Sequence, residues 1–176
     1  MEMSIFVTNL GKYNEGCLVG KWVRLPVPLD KLDAVLDEIG INDEYEEYFI
    51  TDFESSFVGM GAAVGEFSSV EALNELAETI DGLSAAEEEK LGALLESELC
   101  RDTQEIAALI EQLDSFDLIT GVDDDEALGY YFVEECGSLY IPENLKTYVD
   151  YEAYGRDIRL ESSIIYTTYG CLIDNR

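Results

Sequence analysis

The sequence predicts an α+β fold made of three small domains. Runs rich in β-branched and aromatic residues lie near both ends of the chain, and segments with helical spacing lie between them. A length of 176 residues suits two or three small domains, and 47% hydrophobic residues suffice for packed cores. We therefore divide the chain into an N-terminal α+β domain (1–61), a central helical domain (62–103) and a C-terminal α+β domain (104–176).

The N-terminal domain begins with a predicted β-hairpin. Ser4–Leu10 and Cys17–Leu25 are β-rich runs joined by a Gly/Asn loop, and Pro26 ends the second run. The apolar residues that follow have helical spacing and predict a helix: Leu29, Leu32, Val35, Leu36 and Ile39. Gly40 is the expected stop of that helix, and a third strand is predicted at Tyr48–Phe53.

Helices dominate the prediction for the central domain. The small-residue segment Gly59–Gly65 is the expected boundary before it. Three capping-box patterns open helical segments: Ser68 with Glu71, Ser84 with Glu87, and Asp102 with Glu105. Gly82 is expected to end the first of these helices.

The C-terminal domain mixes both kinds of element. Asp123–Glu126 places four carboxylates at the start of a predicted helix that runs to about Glu135, where the helix dipole favours them. Pro142 fits the first turn of another helix, to Tyr154, and Ser163–Thr168 is a β-rich run.

The net charge is the unusual property of this chain. Ten basic residues oppose 39 acidic residues, so the formal charge is −29. Small domains need a net charge of only about 2 to 8 for solubility, and a larger charge adds self-repulsion. Such a protein does not bind nucleic acid or anionic lipid by electrostatics. We expect a partner with a large positive surface, and the groove of a DNA-binding protein is the commonest one.

The magnitude of the charge fits DNA mimicry. B-DNA carries about one charge per 1.7 Å of axis, so 29 charges match roughly 50 Å of duplex, or about 15 base pairs. A homodimer would cover about 30 base pairs. The acidic residues lie in foldable segments, because Leu32 to Glu89 holds 17 of them and no base. On a helix, carboxylates at i and i+4 lie about 6 Å apart, a spacing like that of successive phosphates.

Seventeen carboxylates from these segments form the predicted partner-binding surface. They are Asp33, Asp37, Glu38, Asp43, Glu44, Glu46, Glu47, Glu71, Glu75, Glu78, Glu87, Glu88, Asp114, Asp117, Asp123, Asp124 and Asp125.

The missing motifs argue against an enzyme. The chain has no histidine, the commonest general base, and no GxxxxGK[ST], GxGxxG or GxSxG pattern. We expect no catalytic residue, no cofactor and no metal. Asp123–Glu126 could hold calcium, but it lacks the DxDxDG spacing of an EF-hand loop and is more typical of a charged helix start. Cys100 and Cys136 are interpreted as core thiols, since no histidine or basic cluster lowers their pKa.

Targeting and redox features point to the cytoplasm. The four cysteines are widely separated and form no CxxC pair, and we see no signal peptide. No apolar run approaches 18 residues, so no membrane span is predicted. We expect reduced thiols in a cytoplasmic protein.

Three blocks of sequence resemble the ArdA antirestriction proteins of plasmids and conjugative transposons. The first is SIFVTNLGKYNEG (Ser4–Gly16) with GKWVRLP (Gly20–Pro26), and the second is EYFITDFES (Glu47–Ser55). The third is ALGYYFVEECGSLYIPENLKTYVDYEAYGRDI (Ala127–Ile158). They occur in order along nearly the whole chain.

The resemblance implies an elongated three-domain chain in a two-fold dimer, whose carboxylates trace a bent B-form duplex. It also implies binding to the DNA groove of the methyltransferase core of type I restriction–modification enzymes, which blocks cleavage of incoming DNA. The family's antirestriction motif is expected near the dimer interface, at Glu126, Ala127, Leu128, Gly129, Tyr130, Tyr131, Phe132, Glu134 and Glu135.

Three alternatives remain open from the residues alone. The chain could inhibit another DNA-binding protein, because any phosphate groove is a potential partner. It could be a halophile's protein whose acidic surface only maintains solubility in salt. A calcium buffer is the third possibility.

Overall fold

A computed structural model describes residues 2–98, 100 and 102–176. It shows an α+β fold with two three-stranded antiparallel sheets, as the sequence predicts. The chain divides into two compact units, and the division into three domains stays a prediction. Unit 1 comprises Met1–Ala85 with Glu98–Ala108, and unit 2 comprises Ala86–Ser97 with Leu109–Arg176. Within the described ranges, no helix is long and apolar enough to cross a membrane.

Unit 1 is built on the sheet β2-β1-β3. Strand β1 is Met3–Asn9, β2 is Gly20–Leu25 and β3 is Tyr48–Ser55. Both neighbours run antiparallel to β1, and Met3 pairs with Leu25 on one side. The predicted hairpin and third strand are therefore confirmed.

The hairpin connection contains a short helix that the sequence analysis missed. Helix α1 is Leu10–Asn14, so the first strand ends at Asn9 rather than at Leu10. The Asn9 side chain accepts a hydrogen bond from the Lys12 backbone N–H at 3.0 Å and caps this helix. Its amide group also donates to the carbonyl oxygen of Gly40 at 3.1 Å. One buried asparagine thus joins the hairpin to the end of the next helix.

Two further helices complete the core of unit 1. Helix α2 is Leu29–Glu38, and α3 is Val70–Asp81. Gly40, with φ +82°, follows α2 as predicted, whereas Leu29 is 61% exposed and does not join the apolar face. The core comprises Met3, Ile5, Val7, Val23, Leu25, Leu32, Ile39, Ile50, Val70, Leu73 and Ala77.

The segment Gly59–Gly65 lies inside unit 1. It contains a 3₁₀ turn, Met60–Ala63, whose first and last residues are buried. The predicted cap of α3 is displaced by one residue, because the hydroxyl of Ser69 rather than Ser68 accepts from the Ala72 N–H, at 3.1 Å. Ser68 instead accepts from the Gly65 N–H at 2.9 Å and closes the preceding turn.

The predicted central domain is shared between the units. Helix α4, Ala85–Glu96, belongs almost entirely to unit 2, and most of α5, Thr103–Ile110, belongs to unit 1. The predicted cap of α5 is confirmed, since Asp102 accepts from the Glu105 N–H at 2.8 Å. Gly82 ends α3 as predicted.

Unit 2 contains the second sheet, in the order β4-β6-β5. Strand β4 is Phe116–Ile119, β5 is Ile164–Thr167 and β6 is Gly170–Asp174. The sequence predicted β5 alone. Strands β4 and β6 are short, and β4 follows apolar residues with helical spacing, so local pattern gave no sign of it.

Three helical segments lie between β4 and β5 in unit 2. Helix α6 is Asp125–Tyr130 and continues as a π-helical turn, Tyr131–Glu135, which confirms the predicted helix. The prediction of one continuous helix from Pro142 to Tyr154 is wrong. A 3₁₀ helix, Glu143–Tyr148, ends before extended Val149. Helix α7, Tyr151–Glu161, then starts at a new cap, where Asp150 accepts from the Ala153 N–H at 2.9 Å.

Helices α6 and α7 cross at two glycines. A Cβ added to Gly129 would lie 1.9 Å from the Tyr151 carbonyl oxygen. One added to Gly155 would lie 1.9 Å from the Asp125 carbonyl oxygen. The two backbones are therefore closer than any side chain allows, and both glycines are required by contact rather than by backbone conformation.

Candidate partner-binding surface

The seventeen predicted carboxylates are on the protein surface. Fifteen are exposed, and the other two, Glu88 and Asp125, are half-buried. They belong to both units: those up to Glu78 are in unit 1, and those from Glu87 onward are in unit 2.

The first group lies on α2 and on the loop that follows it. Asp33 and Asp37 are exposed on α2, whereas Leu32 faces the core. Glu38 forms a salt bridge with Lys21, which compensates its charge. Asp43, Glu44, Glu46 and Glu47 are exposed in the loop before β3, and this set is called the acidic loop below.

Backbone hydrogen bonds order the acidic loop. The side chain of Asn42 accepts from the N–H groups of Glu44 and Tyr45, at 2.8 and 3.1 Å. The carbonyl oxygen of Glu47 accepts from the Leu10 N–H at 3.0 Å. The carboxylates are thus presented from a defined backbone rather than from a disordered acidic stretch.

Helix α3 carries a second row of carboxylates. Glu71, Glu75 and Glu78 are exposed, while Leu73 and Ala77 are buried in the core. The pKa of Glu71 is lowered because its own backbone N–H and the Ser69 hydroxyl donate to the carboxylate. Glu71 is therefore ionised well below neutral pH.

Unit 2 carries the remaining carboxylates, and some of them already serve the fold. Asp114 and Asp123 are exposed. Asp117 accepts from the Asn175 amide at 2.8 Å, and Asp124 caps α6 by accepting from the Ala127 N–H at 2.8 Å. Each of the last two retains an exposed side chain.

Asp125 has an internal partner and is the least available of the set. The Arg159 guanidinium donates to both of its oxygens, at 2.7 and 3.1 Å, and the Tyr166 hydroxyl donates at 2.8 Å. These donors lower the pKa of Asp125 to about 2. Its negative charge ties α6 to α7 and β5 instead of facing a partner.

The excess charge is divided evenly between the units. Unit 1 has 20 acidic and 5 basic residues, a net charge of −15, and unit 2 has 19 and 5, a net charge of −14. Within the described part of the chain, six basic side chains form salt bridges with carboxylates: Lys21, Arg24, Lys146, Arg156, Arg159 and Arg176. Much of the small positive charge is therefore locally neutralised.

The segment Glu126–Glu135 divides between surface and interior. Glu126, Tyr130 and Glu135 are exposed, and Ala127 is half-buried. Leu128 is fully buried in the core of unit 2, with half-buried Tyr131 and Phe132 packed against it, and Gly129 lies at the helix crossing. Only some members of the predicted motif thus have side chains that another molecule can touch.

Glu134 is held inside this unit by two donors. The Lys146 ammonium lies 2.6 Å from one of its oxygens, and the Tyr151 hydroxyl donates at 2.6 Å to the other. Both hydrogen bonds lower the pKa of Glu134. This network anchors the π-helical turn to α7.

The residues that support this segment were not predicted from the sequence. Gly155, Arg159 and Tyr166 lie 20 or more residues after it, so no local pattern connects them to it. Glycine inside a helix lowers the stability of that helix, so its presence needs a reason. Gly129 and Gly155 were therefore the sequence signal that could have indicated a close helix crossing.

The geometry gives no support to a calcium site at Asp123–Glu126. Asp124 caps a helix and Asp125 binds Arg159, so neither carboxylate is arranged around a metal ion. In the residues that the structure describes, no group of three or more potential ligands could hold a metal ion. Cys100 is buried as predicted, and burial raises the pKa of its thiol, whereas Cys136 is exposed, so its prediction as a core thiol is wrong.

One comparison with known proteins gives a match. The family model described as antirestriction protein (ArdA) matches residues 5–172. A search of curated proteins found no match.

Proposed function

The chain belongs to the ArdA antirestriction family, and we propose that it mimics bent B-form DNA and occupies the DNA groove of type I restriction–modification enzymes. One observation carries this proposal: both units expose many carboxylates and few bases, and in unit 1 the carboxylates follow two helix faces and an ordered loop. A groove that evolved to neutralise phosphates presents the complementary potential.

The proposed mechanism is displacement without chemistry. The inhibitor competes for Lys and Arg side chains that otherwise contact phosphates. Complementary long-range fields accelerate association, and added salt weakens both the rate and the affinity. Since the carboxylates are carried by folded elements, little ordering entropy opposes binding.

A homodimer is part of the proposal. One chain carries charge equivalent to about 15 base pairs, and two chains cover about 30. The exposed residues Glu126, Tyr130 and Glu135 are the members of the predicted motif available to a second copy. Acting on a restriction enzyme also places the protein in the cytoplasm, where incoming DNA is cleaved.

A competition assay tests the proposal. A type I enzyme is bound to a fluorescent duplex, and the protein is titrated in at two salt concentrations. We expect displacement near stoichiometric amounts that weakens as salt rises. No displacement at either salt would reject this target, and displacement of DNA from unrelated proteins with equal affinity would indicate a general inhibitor.

Two matched variants distinguish the effect of charge position on affinity from the effect of net charge. The first neutralises the acidic loop, with Asp43→Asn, Glu44→Gln, Glu46→Gln and Glu47→Gln. The control removes the same charge from carboxylates that pair with bases: Glu2→Gln, Glu143→Gln, Asp157→Asn and Asp174→Asn. The loop variant should lose more affinity than the control. Equal losses would mean that only net charge matters, as for a non-specific polyanion.

A further inference from the structure

An open cleft in unit 2 has a composition unlike the carboxylate rows. Its volume is about 420 Å³. Three tyrosines and three carboxylates contribute to its lining: Tyr130, Tyr131, Tyr151, Asp124, Glu126 and Glu135. Thr120, Gly121, Val122 and Ala127 complete the lining.

The aromatic walls of this cleft are fixed in place. The rings of Tyr130 and Tyr151 have centroids 5.5 Å apart and an interplanar angle of 59°, so they form a corner. The Tyr151 hydroxyl is anchored by its 2.6 Å hydrogen bond to Glu134. The crossing at Gly129 and Gly155 holds together the helices that carry both rings. The cleft is therefore preorganised before any ligand arrives.

This lining selects a flat cation. Aromatic faces attract cations, and carboxylates supply the counter-charge and acceptors for several N–H groups. A guanidinium stacks on an aromatic ring and is more weakly hydrated than an ammonium. The geometry points to a binding site for a guanidinium group that another polypeptide presents as an arginine side chain.

We assign this arginine to the target enzyme, and the assignment rests on the function proposed above. A chain with a net charge of −29 attracts a positive surface and repels a second copy of itself at long range. The alternative source is a second copy of this chain, through Arg156, which is exposed and pairs with its neighbour Asp157 at 3.8 Å. The experiment distinguishes the two sources.

The first measurement contains no enzyme. N-acetyl-L-argininamide is titrated into the intact protein and followed by NMR, with the citrulline analogue as the neutral isostere. We expect saturable shifts centred on the cleft for arginine and none for citrulline. The variant Glu126→Gln with Tyr130→Leu should weaken arginine binding about fivefold.

A matched control makes the same chemical change away from the cleft. Glu111→Gln with Tyr148→Leu removes one exposed carboxylate and one exposed tyrosine from the same unit. It should leave arginine binding within twofold of the parent. Thermal melting of both variants checks that each remains folded.

The source follows from two further measurements on the same variants. If the enzyme supplies the arginine, the cleft variant weakens DNA displacement and leaves self-association unchanged. Weaker self-association of the cleft variant and of Arg156→Gln in sedimentation, with DNA displacement unchanged, would overturn the assignment to the enzyme and identify a second copy as the source.

The inference is overturned if the cleft variant matches the control in arginine binding, self-association and displacement. Arginine binding without any DNA displacement by the parent protein would instead reject the proposed function and keep the cleft.

Discussion

The crossing of α6 and α7 gives the sharpest test of the structure. In Gly129→Ala, the new Cβ would lie 1.9 Å from the Tyr151 carbonyl oxygen. A carbon and an oxygen approach to about 3.3 Å, so the helices must separate by about 1.4 Å. The nearest obstructing atoms belong to the backbone of Tyr151 and Gly155, so no side chain can rotate away to relieve the clash.

The expected loss of stability follows from two opposing effects. Overpacking of a closed contact costs up to about 3 kcal/mol, and a gap of 0.5–1 Å forfeits a quarter to a half of each dispersion contact. Alanine regains about 1 kcal/mol over glycine inside a helix. The net loss is about 2 kcal/mol, or a fall in Tm of ~4–8 °C for a chain of this size.

Thermal melting by circular dichroism measures this effect. Gly61→Ala is the control, because its Cβ meets its nearest atom, Phe53 Cδ1, at 3.9 Å, and its Tm should stay within about 2 °C. Gly155→Ala should resemble Gly129→Ala. The double variant should lose less than the sum, since one separation relieves both clashes. A Gly129→Ala variant that melts with the parent would refute the close crossing.

Three more outcomes follow from named contacts. Asn74→Ala should cost about 1–3 kcal/mol in a denaturant titration, because the Val27 N–H loses its 2.7 Å acceptor; an unchanged midpoint would contradict that bond. Asp125→Asn should lower stability at neutral pH by removing the charge partner of Arg159. The folded pKa of Asp125 is depressed to about 2, so its contribution to stability is complete above pH ~4 and is lost as pH falls towards 2. The Tm values of parent and variant should therefore converge over that range. A constant difference in Tm between the two proteins would refute the pairing. Asp37→Asn alone should barely change DNA displacement, because exposed charge contacts contribute roughly 0.2–1 kcal/mol each, whereas loss of activity would indicate a localised site.

Much of the N-terminal fold could be predicted because its signals are local. Alternating and helical spacing placed β1, β2, α2 and β3 within a few residues of their observed bounds. The misplaced cap at Ser68 shows the limit of this reasoning, since Ser68 and Ser69 are adjacent and only the helix geometry selects Ser69. Exposed carboxylates were equally predictable, because ionised side chains are excluded from an unpaired apolar core.

The remaining structure depends on contacts between distant residues. Strands β4 and β6 form by pairing across more than 50 residues, and neither has a strong pattern of its own. The role of Asp125 also depends on distance: its sequence context suggests a free carboxylate, and Arg159, 34 residues away, neutralises it.

The sequence by itself determined the charge and the local elements, and it predicts a partner with a positive surface. Those properties follow from residue type and short-range spacing, which do not change with the path of the chain. Only the tertiary structure decided which carboxylates have internal partners and serve the fold, and where tyrosines meet to form a cleft. Packing brings Gly129 against Tyr151, and Tyr151 against Tyr130 and Glu134, through steric fit and hydrogen-bond geometry that no single segment encodes.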